Sequence, residues 1–242
     1  MLHFMETFVQ SGDAELWVAA EGEGPPVVLI SGGPGCCDYL GPVGQLLRPG
    51  FQTIRFDARG CGRSSPTSDF TLANAIADLE AIRLHFEFEK WVLLGHSAGC
   101  ELSLAYAIRH PERMGSLLLL SGGRIVDDRG WHAVYVAGRD AGREPPLDFA
   151  YPPNLEANRA LNAEWKTFIH RPSLLSEVAA IQAPTLFVYG GEDIRPSWPA
   201  EQLASLMPDA RFELLEGADH HLWLTHGTEL GRLMRDFLAG WG

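Results

Sequence analysis

Long apolar runs are missing from this chain. No stretch approaches the ~20 apolar residues that a bilayer-crossing helix needs, so a membrane-spanning role is not expected. A basic excess is missing as well. Nineteen Lys and Arg stand against 31 Asp and Glu, a formal net charge of −12, and such a field repels phosphate backbones and anionic lipid. Neither nucleic acid nor a membrane surface is therefore an expected partner; a small-molecule substrate is. Cysteine is scarce: Cys36, Cys37, Cys61 and Cys100. Adjacent Cys36 and Cys37 are poorly placed to pair with each other, and no C-x-x-C spacing offers a metal site, so small buried thiols are expected. The opening residues MLHFMETFVQ lack the basic start, apolar middle and small-residue cleavage site of a secretory signal, and the expected compartment is the cytoplasm.

What the chain does have is a rhythm. Short apolar runs at 27–30, 52–56, 91–94, 117–120, 185–189 and 211–215 read as strands. Between them lie stretches of helical spacing at 72–86, 102–108, 199–206 and 229–238. Buried strands alternating with amphipathic helices imply an α/β fold, a mainly parallel sheet covered on both faces. Residues 6–20 read as an antiparallel hairpin at one edge. The rhythm breaks between 122 and 182, a stretch richer in Trp, Tyr, Arg, Asp and Pro with helical candidates at 128–138, 155–169 and 174–180. The expected organisation is a core of residues 1–121 and 183–242, with 122–182 inserted above the sheet as a small helical cap.

The chemistry is carried by four segments. Gly95-His96-Ser97-Ala98-Gly99 fits G-x-S-x-G between a buried strand and a helix. A sharp turn there exposes the Ser97 hydroxyl above the strand ends and demands small neighbours. Serine is a weak nucleophile until a base takes its proton. His220 and His221 stand in the loop GADHHLW after the last strand, where a base must lie for the chain order nucleophile, acid, base. His96 flanks the nucleophile and is expected to be packed or hydrogen-bonded locally. The acid is expected at Asp193, after the strand that ends in Gly190 and Gly191, in preference to Glu192. Ser31-Gly32-Gly33-Pro34-Gly35 follows the first long apolar strand, and its glycines allow close backbone approach to a substrate oxygen. The expected oxyanion donors are the amides of Gly33 and Ala98.

With these residues in place, the chain resembles the α/β-hydrolase superfamily, and in it the proline iminopeptidase-like branch. SGGPG is similar to HGGPG of those enzymes, with Ser31 in place of histidine. DARGCGRSS, residues 57–65, resembles the D-x-R-G-x-G-x-S loop, and GGEDIRP resembles the acid loop. GADHHLW is similar to G-x-G-H-x-x-W, a register that selects His220, with Asp219 where glycine is usual. The elbow GHSAG departs from the G-x-S-W-G of typical iminopeptidases, and the insertion is small for that family. The family's cap carries acidic residues that hold a substrate amine; Glu144, Asp148, Glu156 and Glu164 are the counterparts to test, although solvated helix faces also explain them.

The expected reaction is acyl transfer to water through an acyl-enzyme, with no cofactor and no metal. A carboxylic ester of small to medium size is the first substrate class and an N-terminal prolyl amide the second. A third reading, of another class, is a ligand-binding receptor with a slow or silent triad. Trp131, Tyr135 and Trp165 in the insertion are candidate substrate contacts, core packing being the alternative for rings of this kind. An unperturbed imidazole base implies a rate rising with pH through about 6 to 8.

Overall fold

The computed structural model describes residues 4–125 and 129–241. Strands β1 (Phe4–Ser11), β2 (Ala14–Glu21), β3 (Pro26–Ile30), β4 (Gln52–Phe56), β5 (Trp91–His96), β6 (Met114–Leu120), β7 (Thr185–Gly190) and β8 (Ala210–Leu215) form one sheet. Its order is β1-β2-β4-β3-β5-β6-β7-β8. β1 and β2 pair antiparallel, β2 joins β4 antiparallel, and every pairing from β4 to β8 is parallel. The expected edge hairpin is therefore present.

Both faces are covered, and the alternation of side chains shows how. Val28, Ile30, Leu93, Leu117 and Leu119 face one core. Val27, Leu29, Val92, Leu94, Leu118 and Leu120 face the other. On the first side lie α2 (Leu72–His85), α3 (Ala98–Arg109), α6 (Leu174–Ala179) and α7 (Trp198–Leu206); on the second lie α1 (Gly41–Leu46) and α8 (Trp223–Leu238). A central strand buried on both faces reads as a continuous apolar run, because a side chain of either parity meets a helix.

Three boundaries differ from the sequence expectation. β5 runs on through Gly95 to His96, and α3 begins at Ala98 rather than near 102, so the strand passes into the helix through a single residue, Ser97. α8 starts at Trp223, several residues before its apolar periodicity does, across a non-helical residue at His226. Helix α1, only six residues long, carries too short a period to be read from sequence.

The segment between β6 and β7 holds α4 (Arg129–Asp140), α5 (Leu155–Ile169) and α6, and no strand among its described residues. Asp128, the first residue of the expected helix there, lies outside the described residues. α4 rests on the loop after β7: a Cβ on Gly138 would stand 2.6 Å from Ile194. Trp131 Nε1 donates to the Pro196 carbonyl at 3.1 Å. α5 rests instead on the loop after β3. Asn154 caps the helix, its side-chain oxygen accepting from the Glu156 and Ala157 amides; its side-chain amide donates to Gly60 O of the loop after β4 at 2.9 Å and its backbone amide to Gly35 O at 2.8 Å. Asn158 Nδ2 donates to Pro34 O at 2.7 Å. The segment is thus braced at both ends on the loops at the carboxyl edge of the sheet.

Candidate active site

Ser97 stands where strand becomes helix, with φ 54° and ψ −122°, a conformation that costs a non-glycine residue of the order of 1–3 kcal/mol. The close fit around it explains the flanking glycines. A Cβ on Gly95 would lie 2.5 Å from backbone atoms of Gly99 and Cys100, and one on Gly99 would lie 2.0 Å from Ile30 O. The elbow therefore packs directly on the end of β3, from which the SGGPG loop springs.

Across the cleft, His220 Nδ1 donates to Asp193 Oδ2 at 2.7 Å. This bond places the proton on Nδ1 and leaves Nε2 with its lone pair free to accept. Asp193 is enclosed, its side chain fully shielded from solvent. Its other oxygen accepts from the Arg195 amide at 2.9 Å and from Arg195 Nη1 at 3.3 Å. Burial pushes the Asp193 carboxyl above its ordinary range while Arg195 opposes that rise. Burial, helped by Arg195, pushes His220 well below 6.5. An imidazole so enclosed is displaced downward from the unperturbed value on which the expected rise through pH 6 to 8 rests. Glu192, the competing acid, is exposed. His221 Nδ1 has no hydrogen-bond partner, and the His221 amide donates to Asp219 Oδ1 at 2.8 Å. Of the two histidines it is His220 that meets the carboxylate.

His96 is buried and hydrogen-bonded through both ring nitrogens, to residues distant in the chain. Its Nε2 bonds the His220 carbonyl at 2.9 Å, and its Nδ1 bonds Tyr39 Oη at 2.7 Å. A carbonyl only accepts, so Nε2 carries the proton and Nδ1 accepts from the tyrosine hydroxyl. Burial holds His96 well below 6.5, which keeps this single neutral tautomer. Tyr39 Oη in turn accepts from the Gly32 amide at 2.6 Å. One chain of bonds thus joins the SGGPG loop, the elbow and the base loop. The Tyr39 link escaped the sequence reading, because nothing in the pattern connects residues 39 and 96.

The Gly32 amide is engaged by Tyr39, whereas the Gly33 amide, like that of Gly35, has no acceptor among the described residues. Ala98, first in its helix, has no intrahelical acceptor. Gly33 lines the same cleft as Ser97, His220, His221, Glu144 and Phe149, and it meets Ala98 in two deeper cavities. Among the described residues the Ser97 hydroxyl makes no hydrogen bond to His220, although both face this cleft.

Two cavities extend inward from the elbow. The first, about 90 Å³, is mostly apolar and runs between α2, α3 and α5, with Leu102, Leu161 and Trp165 in its wall. The second contains Ser97, Trp131, Tyr135, Arg124 and Arg195. Of the three candidate substrate rings, Trp131 and Tyr135 share a cavity with Ser97, whereas Trp165 lines the cavity that reaches Gly33 and Ala98. Two of them also serve packing: Trp165 is buried and donates to Arg124 O at 3.1 Å, and Trp131 is held by Pro196. Glu101 lines both cavities. Its carboxyl has no hydrogen-bond or ion-pair partner among the described residues; burial pushes it up to about 8, and the charge of Arg124 opposes that rise. The sequence reading passed over Glu101; its signal was an acidic residue on the apolar, inward side of α3. The four insertion carboxylates do not gather here. Glu144 pairs with Arg195 at 2.8 Å, Glu164 accepts from the Leu72 amide at 3.2 Å, and Asp148 and Glu156 are exposed. All four cysteines are unpaired and only Cys36 is partly exposed.

Sheet, elbow and the loops above it define a class. The alpha/beta hydrolase fold family matches residues 25–150, more than half of the chain, and the chain belongs to that family. In it the chain resembles the proline iminopeptidase branch. It is 40% identical over 100 residues to the proline iminopeptidase of Neisseria gonorrhoeae, a stretch that is 40% of this chain and 32% of the relative. To that of Saccharolobus solfataricus it is 38% identical over 107 residues, 42% of this chain and 34% of the relative. The match spans about a third of the length of these curated relatives. Among solved structures, E-2-(acetamidomethylene)succinate hydrolase superposes with a TM-score of 0.79 at 18% identity, covering 98% of this chain and 100% of that one. Proline iminopeptidase from Mycobacterium smegmatis superposes at 0.75 with 19% identity, covering 98% of each. At such identities these likenesses are of fold.

Proposed function

We propose that the protein is a serine hydrolase that cleaves a carboxylic ester of small to medium size through an acyl-enzyme. The observation that carries this reading is the 2.7 Å bond from His220 to the enclosed Asp193, which leaves His220 Nε2 as an acceptor in the cleft that Ser97 faces. In the proposed sequence, Ser97 Oγ attacks the substrate carbonyl as His220 Nε2 takes its proton. The Gly33 and Ala98 amides receive the negative charge on the carbonyl oxygen, and Asp193 stabilises the imidazolium. His220 then protonates the departing alkoxide, and water, activated by the same imidazole, releases the acyl group. The Ser97–His220 bond closes as substrate fills the cleft, as is common for catalytic hydrogen bonds. Residues 122–182 act in this reading as a cap that shapes the acyl and alcohol sites.

A second reading has its own support. A carboxyl at Glu101 without a hydrogen-bond partner, one helical turn beyond Ala98, is one that a protonated amine close to the scissile carbonyl would draw into its charged form and pair with. Together with the relatives' names, it favours an N-terminal prolyl amide. A panel of p-nitrophenyl esters and prolyl arylamides, run with Ser97→Ala as control and with a serine-directed phosphonate, separates the readings. Ester turnover with stoichiometric labelling of Ser97 is the expected result; dominant arylamide turnover transfers the function to the second reading. Neither turnover nor labelling overturns both and leaves a ligand receptor.

A further inference from the structure

Behind the proposed base and acid runs a line of charge that ends in the inserted segment. Asp193 Oδ2 accepts from His220, and Asp193 Oδ1 accepts from Arg195. The Arg195 guanidinium then meets both oxygens of Glu144, at 2.8 and 3.2 Å. Glu144 belongs to the segment after α4, and its Arg195 partner belongs to the acid loop, so the line crosses from the segment to the sheet. The crossing is reinforced around it. Arg195 lies 4.9 Å over the Tyr135 ring of α4, Trp131 of α4 holds the Pro196 carbonyl, and Gly138 of α4 lies against Ile194. Four consecutive residues of the acid loop, 193–196, thus each make a defined contact with the triad or with α4 and its C-terminal extension. A bidentate arginine in partial burial has one low-energy arrangement, and loss of either partner frees the guanidinium to turn.

We propose that Arg195 is a positioning residue of the Ser97–His220–Asp193 site and that Glu144 holds it, so that the seating of the segment above the sheet is transmitted to His220 through Glu144, Arg195 and Asp193. Arg195 touches no reacting atom. It keeps Asp193 charged and fixed within an enclosed pocket, and Glu144 offsets part of the positive field that Arg195 exerts at His220. The two residues therefore act on the imidazole with opposite sign: Arg195 disfavours its protonated form and Glu144 favours it. The other charged or titratable groups facing His220 are Asp193, His96 at the end of β5, His221 and Asp219 on its own loop, and Arg139 of α4, whose guanidinium is taken up by Asp140 at 2.9 Å. Of these, His221 also feels the charge of Glu144, so its titration is followed beside that of His220.

This inference rests on the hydrolase reading for its kinetic test and on geometry alone for a second, spectroscopic one. The experiment measures the pH dependence of kcat/KM for an ester, together with the ¹⁵N NMR titration of the His220 ring in the full chain, for wild type, Glu144→Gln, Arg195→Gln, Arg195→Lys and the double Gln variant. Glu144→Gln is expected to lower the midpoint by about 0.5–1 pH unit and Arg195→Gln to raise it by a similar amount. Arg195→Gln is also expected to lower kcat about 10- to 100-fold with KM little changed, and Arg195→Lys to recover the midpoint and part of kcat. The double variant is expected to lie nearer wild type in midpoint than either single one. Midpoints that stay put, or that move in the same direction in both single variants, overturn the proposal whatever the loss of rate. If Arg195→Gln does not fold, the downward shift in Glu144→Gln decides alone, its absence being fatal. A wild type without ester turnover defeats the hydrolase reading, while the NMR midpoints still decide the coupling.

Discussion

Single residues carry the sharpest expectations. Ser97 sits in a strained conformation beside glycines that admit no side chain, which suits the nucleophile proposed above. Ser97→Ala is expected to lower kcat by roughly 10⁴-fold or more with binding largely retained. His220→Ala is expected to do the same, whereas His221→Ala is expected to stay within about tenfold of wild type; steady-state kinetics with active-site titration checks all three. Glu101 makes a prediction about stability instead. Its folded pKa of about 8 exceeds the ordinary 4.5, so the folded chain binds the proton more tightly than the unfolded one. The resulting stability is fully present below pH 4.5 and is lost as pH rises through 8. Glu101→Gln is therefore expected to be more stable than wild type at pH 8 by roughly 1–3 kcal/mol and to lose that advantage near pH 4.5. Urea denaturation at the two pH values tests it, and an equal effect at both contradicts a buried titrating carboxyl.

At the scale of elements, the position of α3 is set by how closely its first turn approaches β3. A methyl group on Gly99 meets Ile30 O at 2.0 Å, and that backbone atom has little room to retreat from a central strand. Gly99→Ala is expected to cost about 2–4 kcal/mol and to displace the elbow, so that activity falls even where the fold survives; the denaturation midpoint and kcat of the folded fraction measure the two effects. Helix α4 has the opposite character. Trp131 is buried against the acid loop and also lines the cavity that contains Ser97. If residues 122–182 are a cap, Trp131→Ala is expected to change the preferred ester chain length and to raise KM more than it lowers kcat. Loss of ring burial of ~2 kcal/mol corresponds to about 30-fold. An unchanged chain-length profile in a folded variant removes the segment from specificity.

For the molecule as a whole, charge is the dominant trait. A net −12 surrounds a cleft into which Glu144, Arg195 and Arg139 project, and the surplus draws cations toward the protein over about one Debye length. An ester with a cationic alcohol is expected to show a kcat/KM that falls as salt is raised from about 0.01 to 0.5 M, while that of a neutral isostere stays nearly level. Equal salt dependence in the two denies the field any part in substrate capture. No helix among the described residues is long and apolar enough to cross a membrane.

Much of this was written locally. The parallel sheet was legible because strands such as 91–94 and 117–120 are apolar at every position, which only a doubly covered strand requires. The Ser97 elbow, the SGGPG loop and the loops of Asp193 and His220 were legible as candidates because each sets glycines just beyond a strand, and three of them add a hydroxyl, a carboxylate or an imidazole. Between His220 and His221, periodicity had no say, since adjacent loop residues differ in direction and not in pattern; the hydrogen bond to Asp193 separates them. Boundaries were lost where a conformation depends on distant packing, as at the abrupt start of α3 against β3. The Tyr39–His96–His220 link, the solitary carboxyl of Glu101 and the pairing of Glu144 with Arg195 join residues that are far apart in the chain or hidden on one face of a helix. Composition and spacing determine which groups the chain possesses and which strand ends they follow. Which of those groups meet is decided by the packing of loops from separate βα units over one edge of the sheet, because a charge or a hydrogen bond acts through space and not along the sequence.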